Sequence, residues 1–344
     1  MAVSLKSIAE KCGVTPATVS MALQDNPRIS IRRRHEIRTV AEELGYRSNI
    51  IAQSLRGGRS HSIGILWSLT GPHDSLSLIR NMTLPLRHRG YVSYVADSMS
   101  DAAVIRASLQ DYAARKADGL IMQLYHNDAL LYEDREVAAC LREIGNVVIV
   151  DEQQQHQLST MKLPSMEIDR ICRSREAALE DIISYWQAAG RRKIAMLGPM
   201  RVVEREELFV HLLQHYGFPA DDWRLECFDQ EGIIMAPENI ERLLNGNWDA
   251  VITANDELAA DLIALLADHG LKVPDDIAVC GFNDNIMSRH FRPAISSVDR
   301  RSDELASMAV EMLLRRIEQP DAPSEFRQLP MRFVLRASAG SGQR

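Results

Sequence analysis

The chain has 344 residues, 46% hydrophobic and 25% charged, with a net charge of −7, which is material for two or three compact units with cores of their own. Its five cysteines (Cys12, Cys140, Cys172, Cys227, Cys280) are scattered, with no CxxC or Cys/His cluster, which argues against a disulfide framework or a structural metal. No apolar run reaches membrane-spanning length and the start, MAVSLKSIAEKC, has no apolar secretion core, so a cytoplasmic protein without membrane contact, metal or cofactor is expected. The charge is uneven: residues 1–60 hold ten Lys/Arg against five Asp/Glu, a net +5, and the remainder carries −12. A basic head on an acidic body fits a local polyanion, most simply nucleic acid, or else a solvated basic surface.

In chain order, residues 1–46 read as three short helices. Leu5, Ile8 and Ala9 share one face of the first. Thr15 can cap the second, with Pro16 in its first turn, where a missing N–H costs nothing. Ser30 can cap the third, which runs through Ile37, Val40, Ala41 and Leu44 and stops at Gly45. Residues 47–61, RSNIIAQSLRGGRSH, are polar with a Gly pair and read as a linker holding at most a turn or two of helix. From Ser62 onward short apolar runs appear: SIGIL (62–66), VSYVA (92–96), GLIM (119–122), VVIVD (147–151), KIAMLG (193–198), AVITA (250–254) and IAVCGF (277–282). Amphipathic stretches at 101–115, 170–189, 205–216 and 256–269 lie between several of them. Alternating strands and helices predict an α/β fold with parallel sheets covered on both faces. Two runs of the pattern predict two lobes in residues 62–340, one of about 62–160 plus 291–318, the other of 162–290 plus 319–340. Ligands of open parallel sheets sit beyond the carboxyl ends of the strands, so facing lobes would hold one between them.

In LKSIAEKCGVTPATVSMAL, Ala9 is small where two helices must cross, Gly13 suits a turn of positive φ, and Val14, Val19 and Leu23 point back into the unit. This is the helix-turn-helix layout, whose second helix lies in the major groove of DNA. Many helical hairpins share the pattern. A longer set of motifs is more specific: VTPATVSMALQDNPRIS, LGY closing the third helix, AQSL in the linker, AGRRKIAMLG, ANDELA, VPDDIAVCGFND and the late apolar strand MRFVLRAS. Together they resemble the LacI/GalR family of bacterial transcription factors, almost end to end.

The resemblance implies a homodimer that binds a pseudo-palindromic double-stranded operator. It also implies a C-terminal region like periplasmic sugar-binding proteins, where a small effector changes operator affinity. It assigns phosphate contacts to Thr15, Thr18 and Ser20, and base edges to Pro16, Ala17 and Met21. Many members carry Arg where this chain has Met21. Arg can donate twice to guanine; Met cannot, and with Pro16 and Ala17 it offers apolar contact suited to thymine methyls. Packing of Met21 inside the domain is the alternative. Arg28, Ser30, Arg32, Arg33 and Arg34 are placed along the DNA backbone, where contacts position without specifying sequence. In the linker, the family's equivalent of Leu55 wedges into the minor groove at the operator centre, Ala52 lets paired hinge helices approach, and Asn49 lies in the same segment. Ser48 and Ile50 stand where many members have Pro, which would loosen the hinge without DNA.

The resemblance places effector contacts at Asp151, Arg205, Asn255 and Asn283, a set that suits a sugar, polyol, nucleobase or sugar acid. Asp151, Asn255 and Asn283 stand at or just after strand ends, and Arg205 opens a helix. Each has a plainer role open to it: Asp151 and Asn283 as loop caps, Asn255 as the cap of the helix it precedes. Trp67, after the first strand, is a candidate for stacking on a sugar face at the cleft rim, or for the core. An enzyme is disfavoured: no GxGxxG follows the first strand, GxxxxGK[ST] is absent, and the histidines have no evident nucleophile partner. A transport-type binding protein would have a secretion signal and no need of residues 1–60. Repressor and activator both remain open.

Overall fold

The structure, a computed structural model, describes residues 4–23, 25–46, 59–69, 74–124, 134–151, 168–199, 203–219, 223–228 and 244–340. It divides into two units, Met1–Ser60 and His61–Arg344.

The first unit holds α1 (Leu5–Cys12), α2 (Pro16–Leu23) and α3 (Ile31–Glu43). Ser4 caps α1 in a reciprocal box with Ser7, and Gly13 ends it with φ +64°, the left-handed turn expected of that glycine. The Thr15 hydroxyl accepts the Thr18 amide at 3.2 Å to start α2, and Ser30 accepts the Arg33 amide at 3.3 Å to start α3. The three helices share one small core of Ile8, Ala9, Cys12, Val19, Ala22 and Ile37, with Ala41 beside them.

The second unit runs in chain order β1 (Ser62–Trp67), α4 (Asp74–His88), β2 (Val92–Asp97), α5 (Ala102–Ala114), β3 (Gly119–Leu124), α6 (Arg135–Ile144), β4 (Val147–Asp151), β5 (Asp169–Ser174), α7 (Glu176–Ala188), β6 (Ile194–Pro199), α8 (Val203–His215), β7 (Trp223–Phe228), β8 (Ala250–Thr253), α9 (Asp256–Asp268), β9 (Ala278–Phe282), α10 (Ile286–His290), β10 (Ser296–Asp299), α11 (Ser302–Glu318), β11 (Phe326–Pro330) and β12 (Arg332–Val334). Two six-stranded sheets result, ordered β11-β5-β4-β3-β1-β2 and β12-β10-β9-β8-β6-β7. Every pairing is parallel except β10 with β12.

Strand alternation distributes the apolar residues to both faces. In the first lobe Ile63, Ile65, Ile121 and Val148 pack under α4 and α11, while Leu66, Leu120, Met122 and Ile149 pack under α5 and α6. In the second, Ile194, Met196 and Ile252 meet α7 and α8, and Ala195, Leu197, Val251 and Val279 meet α9.

The lobe boundaries differ from those expected. Residues 169–174, read as the start of an amphipathic helix, form β5 of the first sheet; β10 belongs to the second sheet and β11 to the first. The chain therefore crosses between lobes after β5, after β10 and after β11. A strand written DRICRS can be internal because its charges are paired: the fully buried Asp169 carboxylate accepts from Arg316 at 2.5 Å and Arg315 at 3.0 Å, fastening β5 to α11. β10, read as no strand, is polar but buried. The Ser296 hydroxyl donates to the Arg336 carbonyl at 2.9 Å, and that of Ser297 to Asp256 at 2.5 Å.

Candidate nucleic-acid interface and effector cleft

On α2, Val19 and Ala22 face the core. Ala17, Ser20 and Met21, at helical spacing from one another, lie on the other side. Thr15, Pro16 and Ala17 are exposed; Thr18, Ser20 and Met21 are half-buried. Met21 is no part of the core cluster or of the residues packed on it, so it belongs to the outward face. The Thr15 and Thr18 hydroxyls lie 2.9 Å apart and share one hydrogen bond, which leaves one hydroxyl proton of the pair for an outside acceptor such as a phosphate oxygen.

The arginines divide into two sets. Arg33, expected along the DNA backbone, is committed within the domain: one terminal nitrogen binds Glu36 at 2.7 Å, the other donates to the Cys12 carbonyl at 2.8 Å. It satisfies an orphan carbonyl at the end of α1, a role that needs a long, forked donor at this distance. Arg34 donates to the Asp25 carbonyl at 3.1 Å and, with Arg38, binds the Asp25 carboxylate. Those bonds, Arg38's first, hold the Asp25 carboxyl below the usual carboxylate range. Arg28 and Arg32 are exposed and make no side-chain bond to a described residue, so their charges are open to an outside anion. Beside them the sequence reading overlooked Ile31, 79% exposed at the first position of α3. Asn49, Ala52 and Leu55 lie outside the described residues.

The second unit carries its candidate residues at strand ends. Asp151 closes β4 and is buried. Asn255 and Asn283 follow the neighbouring strands β8 and β9. Asn255 caps α9, its side-chain oxygen accepting the Leu258 amide at 2.7 Å; this fixes the amide's orientation and leaves its NH2 group to donate elsewhere. Asn283 takes φ +101° and Asp284 φ +49°, left-handed backbone at two successive non-glycine residues. Arg205 falls in α8, and its side chain lies outside the described residues. Trp67 corrects the expectation of a rim position: it is 1% exposed and packed with Leu78 and Met82 in the first core, because the last residue of β1 points under α4.

A cavity of about 460 Å³ opens between the lobes, lined by Ser77 of α4, Asn283, Asn285, Arg289, Arg301 and Asp303 among others; Asp151 and Asn255 do not line it. The sequence reading missed Asp256. It is fully buried beneath the Asn283 turn, and burial pushes its carboxyl up to about 7. The motif ANDELA offered a signal, an acid immediately after a candidate contact. Also missed were the buried Arg173, Arg175 and Arg300 near the ends of β5 and β10. Arg173 donates to the Arg300 carbonyl and the Ser302 hydroxyl, both at 3.3 Å, and so binds one crossing between lobes to another.

A three-helix unit with an outward apolar helix face, followed by two parallel-sheet lobes joined by three crossings, defines a helix-turn-helix regulator with a periplasmic-binding-protein-like body. Comparison with known proteins agrees. Residues 4–49 match the model of bacterial regulatory proteins of the lacI family, and residues 183–339 that of a periplasmic binding protein-like domain. The probable HTH-type transcriptional repressor ExuR of Bacillus subtilis is 25% identical over 98% of this chain and 98% of its own. The fold matches that of a lac repressor dimer bound to operator and the anti-inducer ONPF, with TM-score 0.80, 22% identity, and 99% and 100% of the two chains covered. It also matches a LacI family regulator from Enterococcus faecium with bound ribose, TM-score 0.65, 23% identity, covering 82% and 100%. Residues 4–49 thus form a DNA-binding domain of the lacI type, and the chain is a DNA-binding transcriptional regulator similar over nearly its whole length to LacI-type regulators. None of its described helices is long and apolar enough to cross a membrane.

Proposed function

We propose that the protein is a homodimeric repressor whose operator affinity is set by a small polyhydroxylated effector held between the lobes, and that it catalyses no reaction. The observation that carries the DNA reading is the outward face of α2, with Pro16, Ala17 and Met21 outside the core and a spare hydroxyl proton at Thr15 and Thr18. Asp151, Asn255 and Asn283 supply acceptors and donors of the kind that bind hydroxyls, and the Enterococcus faecium relative holds a pentose. Selection of operators from fragmented genomic DNA tests the reading. A pseudo-palindromic consensus is the expected result, and binding without sequence preference would overturn it.

The second copy has a surface to meet. β2 is an edge strand of the first sheet, and it exposes Val92, Tyr94 and Val95. A second copy covering that apolar edge would satisfy it. Val95→Asp should raise the dimer dissociation constant roughly tenfold or more, because an unpaired charge would be buried. Sedimentation of an unchanged dimer would place the interface elsewhere.

Leu55 is proposed as the minor-groove wedge. Leu55→Ala should weaken specific operator binding far more than nonspecific binding, since phosphate contacts persist when the bent geometry is lost. Equal losses on operator and random DNA would give Leu55 another role.

A further inference from the structure

The turn that carries Asn283 has no regular secondary structure of its own, and its two left-handed residues make it costly to hold. Its three successive amides are nevertheless all bonded. Asn283 N–H donates to the Val298 carbonyl at 2.9 Å, Asp284 N–H to the Ser297 hydroxyl at 3.0 Å, and Asn285 N–H to the Asp256 carboxylate at 2.7 Å. The Ser297 hydroxyl in turn donates to the other Asp256 oxygen at 2.5 Å. Two of the three anchors therefore end on one carboxylate, directly or through Ser297. Gly281 makes the approach possible: a Cβ there would lie 2.2 Å from an Asp256 oxygen.

Asp256 is the first residue of α9, and Asn255 is the cap of the same helix. We infer that Asp256 is the positioning residue of the second lobe's effector contacts, locking the Asn283 turn to the helix end that fixes Asn255 so that both amides are presented as one rigid pair. This rests on the reading that Asn255 and Asn283 meet the effector. The lobe has no other described group so placed. Glu257 accepts from the Asn285 side chain at 2.6 Å. Asp284 binds Arg336 at 2.6 Å and Arg289 at 3.1 Å, which brace the outer side of the turn.

The charged and titratable groups around Asp256 are Glu257 on its own helix, Asp284 on the turn and the Cys280 thiol on β9, with Arg336 and Arg289 beyond Asp284. Burial raises the carboxyl from the ordinary carboxylate range to about 7. A raised value means that the folded state holds a proton the unfolded state has lost. The stabilisation from this group is full below the unfolded value and is lost as pH rises through about 7.

Hydrogen exchange and thermal unfolding of the full chain test the assignment. Asp256→Ala should speed exchange in peptides spanning 282–290 roughly ten- to hundredfold, as expected for loss of two hydrogen bonds that end on one buried group, with β3 peptides unchanged. Asp256→Asn keeps the shape but can accept less, and should give a smaller increase; it serves alone if the alanine variant does not fold. Between about pH 4 and 7 the wild-type unfolding constant should rise relative to that of Asp256→Asn, by at most about tenfold per pH unit. Unchanged exchange at 282–290, or parallel pH profiles for wild type and Asp256→Asn, would overturn the assignment. Asn283→Ala separates the two readings. It should leave exchange at Asp284 and Asn285 as in wild type, and its effect on effector response judges the site, not the clamp.

Discussion

Met21→Arg should redirect the protein toward guanine at one symmetric position of each operator half-site. The proposed function puts Pro16, Ala17 and Met21, all outside the core of the helical unit, against the bases, and none of them can donate a pair of hydrogen bonds. On the proposed reading, affinity in the wild type would lean on phosphate contacts from Arg28, Arg32 and the Thr15–Thr18 pair, and on apolar contact with thymine methyls. A guanidinium at 21 can donate to guanine O6 and N7, a contact worth about 1–3 kcal/mol of discrimination, and two half-sites would roughly double it. Wild type and variant would be compared by selection from randomised operators at one salt concentration. A change in total affinity with base preference untouched at every position would show that residue 21 does not face the bases.

The second large effect is expected in the cleft. Asp151→Ala should abolish effector response while leaving effector-free operator affinity nearly intact, because an effector acts only through its different affinity for the two lobe arrangements. Asn255→Ala should do the same, but the structure adds a complication. Its side-chain oxygen caps α9, and losing a cap costs about 0.5–2 kcal/mol. Asn255→Asp keeps the cap and removes the NH2 donor, so it isolates the recognition role. Operator titrations with and without a panel of pentoses, hexoses and uronates are the measurement. Loss of DNA binding by a folded Asp151→Ala or Asn255→Asp protein would remove these residues from the effector site.

Elements with local signals were legible in the sequence. Thr15, Ser30 and Gly13 mark helix ends by hydrogen bonds and backbone angles that depend on their immediate neighbours, and the structure places caps and the turn at those residues. Strands such as VVIVD are apolar because both faces are covered, so a run of hydrophobic residues announces them. β5 and β10 gave no such sign. Their polar side chains are satisfied by partners more than a hundred residues away for Asp169, and about forty away for Ser296 and Ser297. No local pattern encodes that, and the lobe boundaries were misdrawn for the same reason. Among site residues, Trp67 was ambiguous because a strand end serves core and cleft alike. Arg33 went astray because its partner, the Cys12 carbonyl, is backbone and has no sequence signature.

The last two strands have a bearing on how the protein is made. β11 and β12 lie at residues 326–334, yet they complete opposite sheets, one beside β5 and the other beside β10. A ribosome delivers the chain amino end first, so the DNA-reading helices emerge earliest and the strands that finish both lobes emerge last. Neither sheet can be completed by a nascent chain that has not yet passed residues 326–334. A chain cut before residue 326 would thus keep every helix of the first unit and lose one edge strand from each sheet of the second.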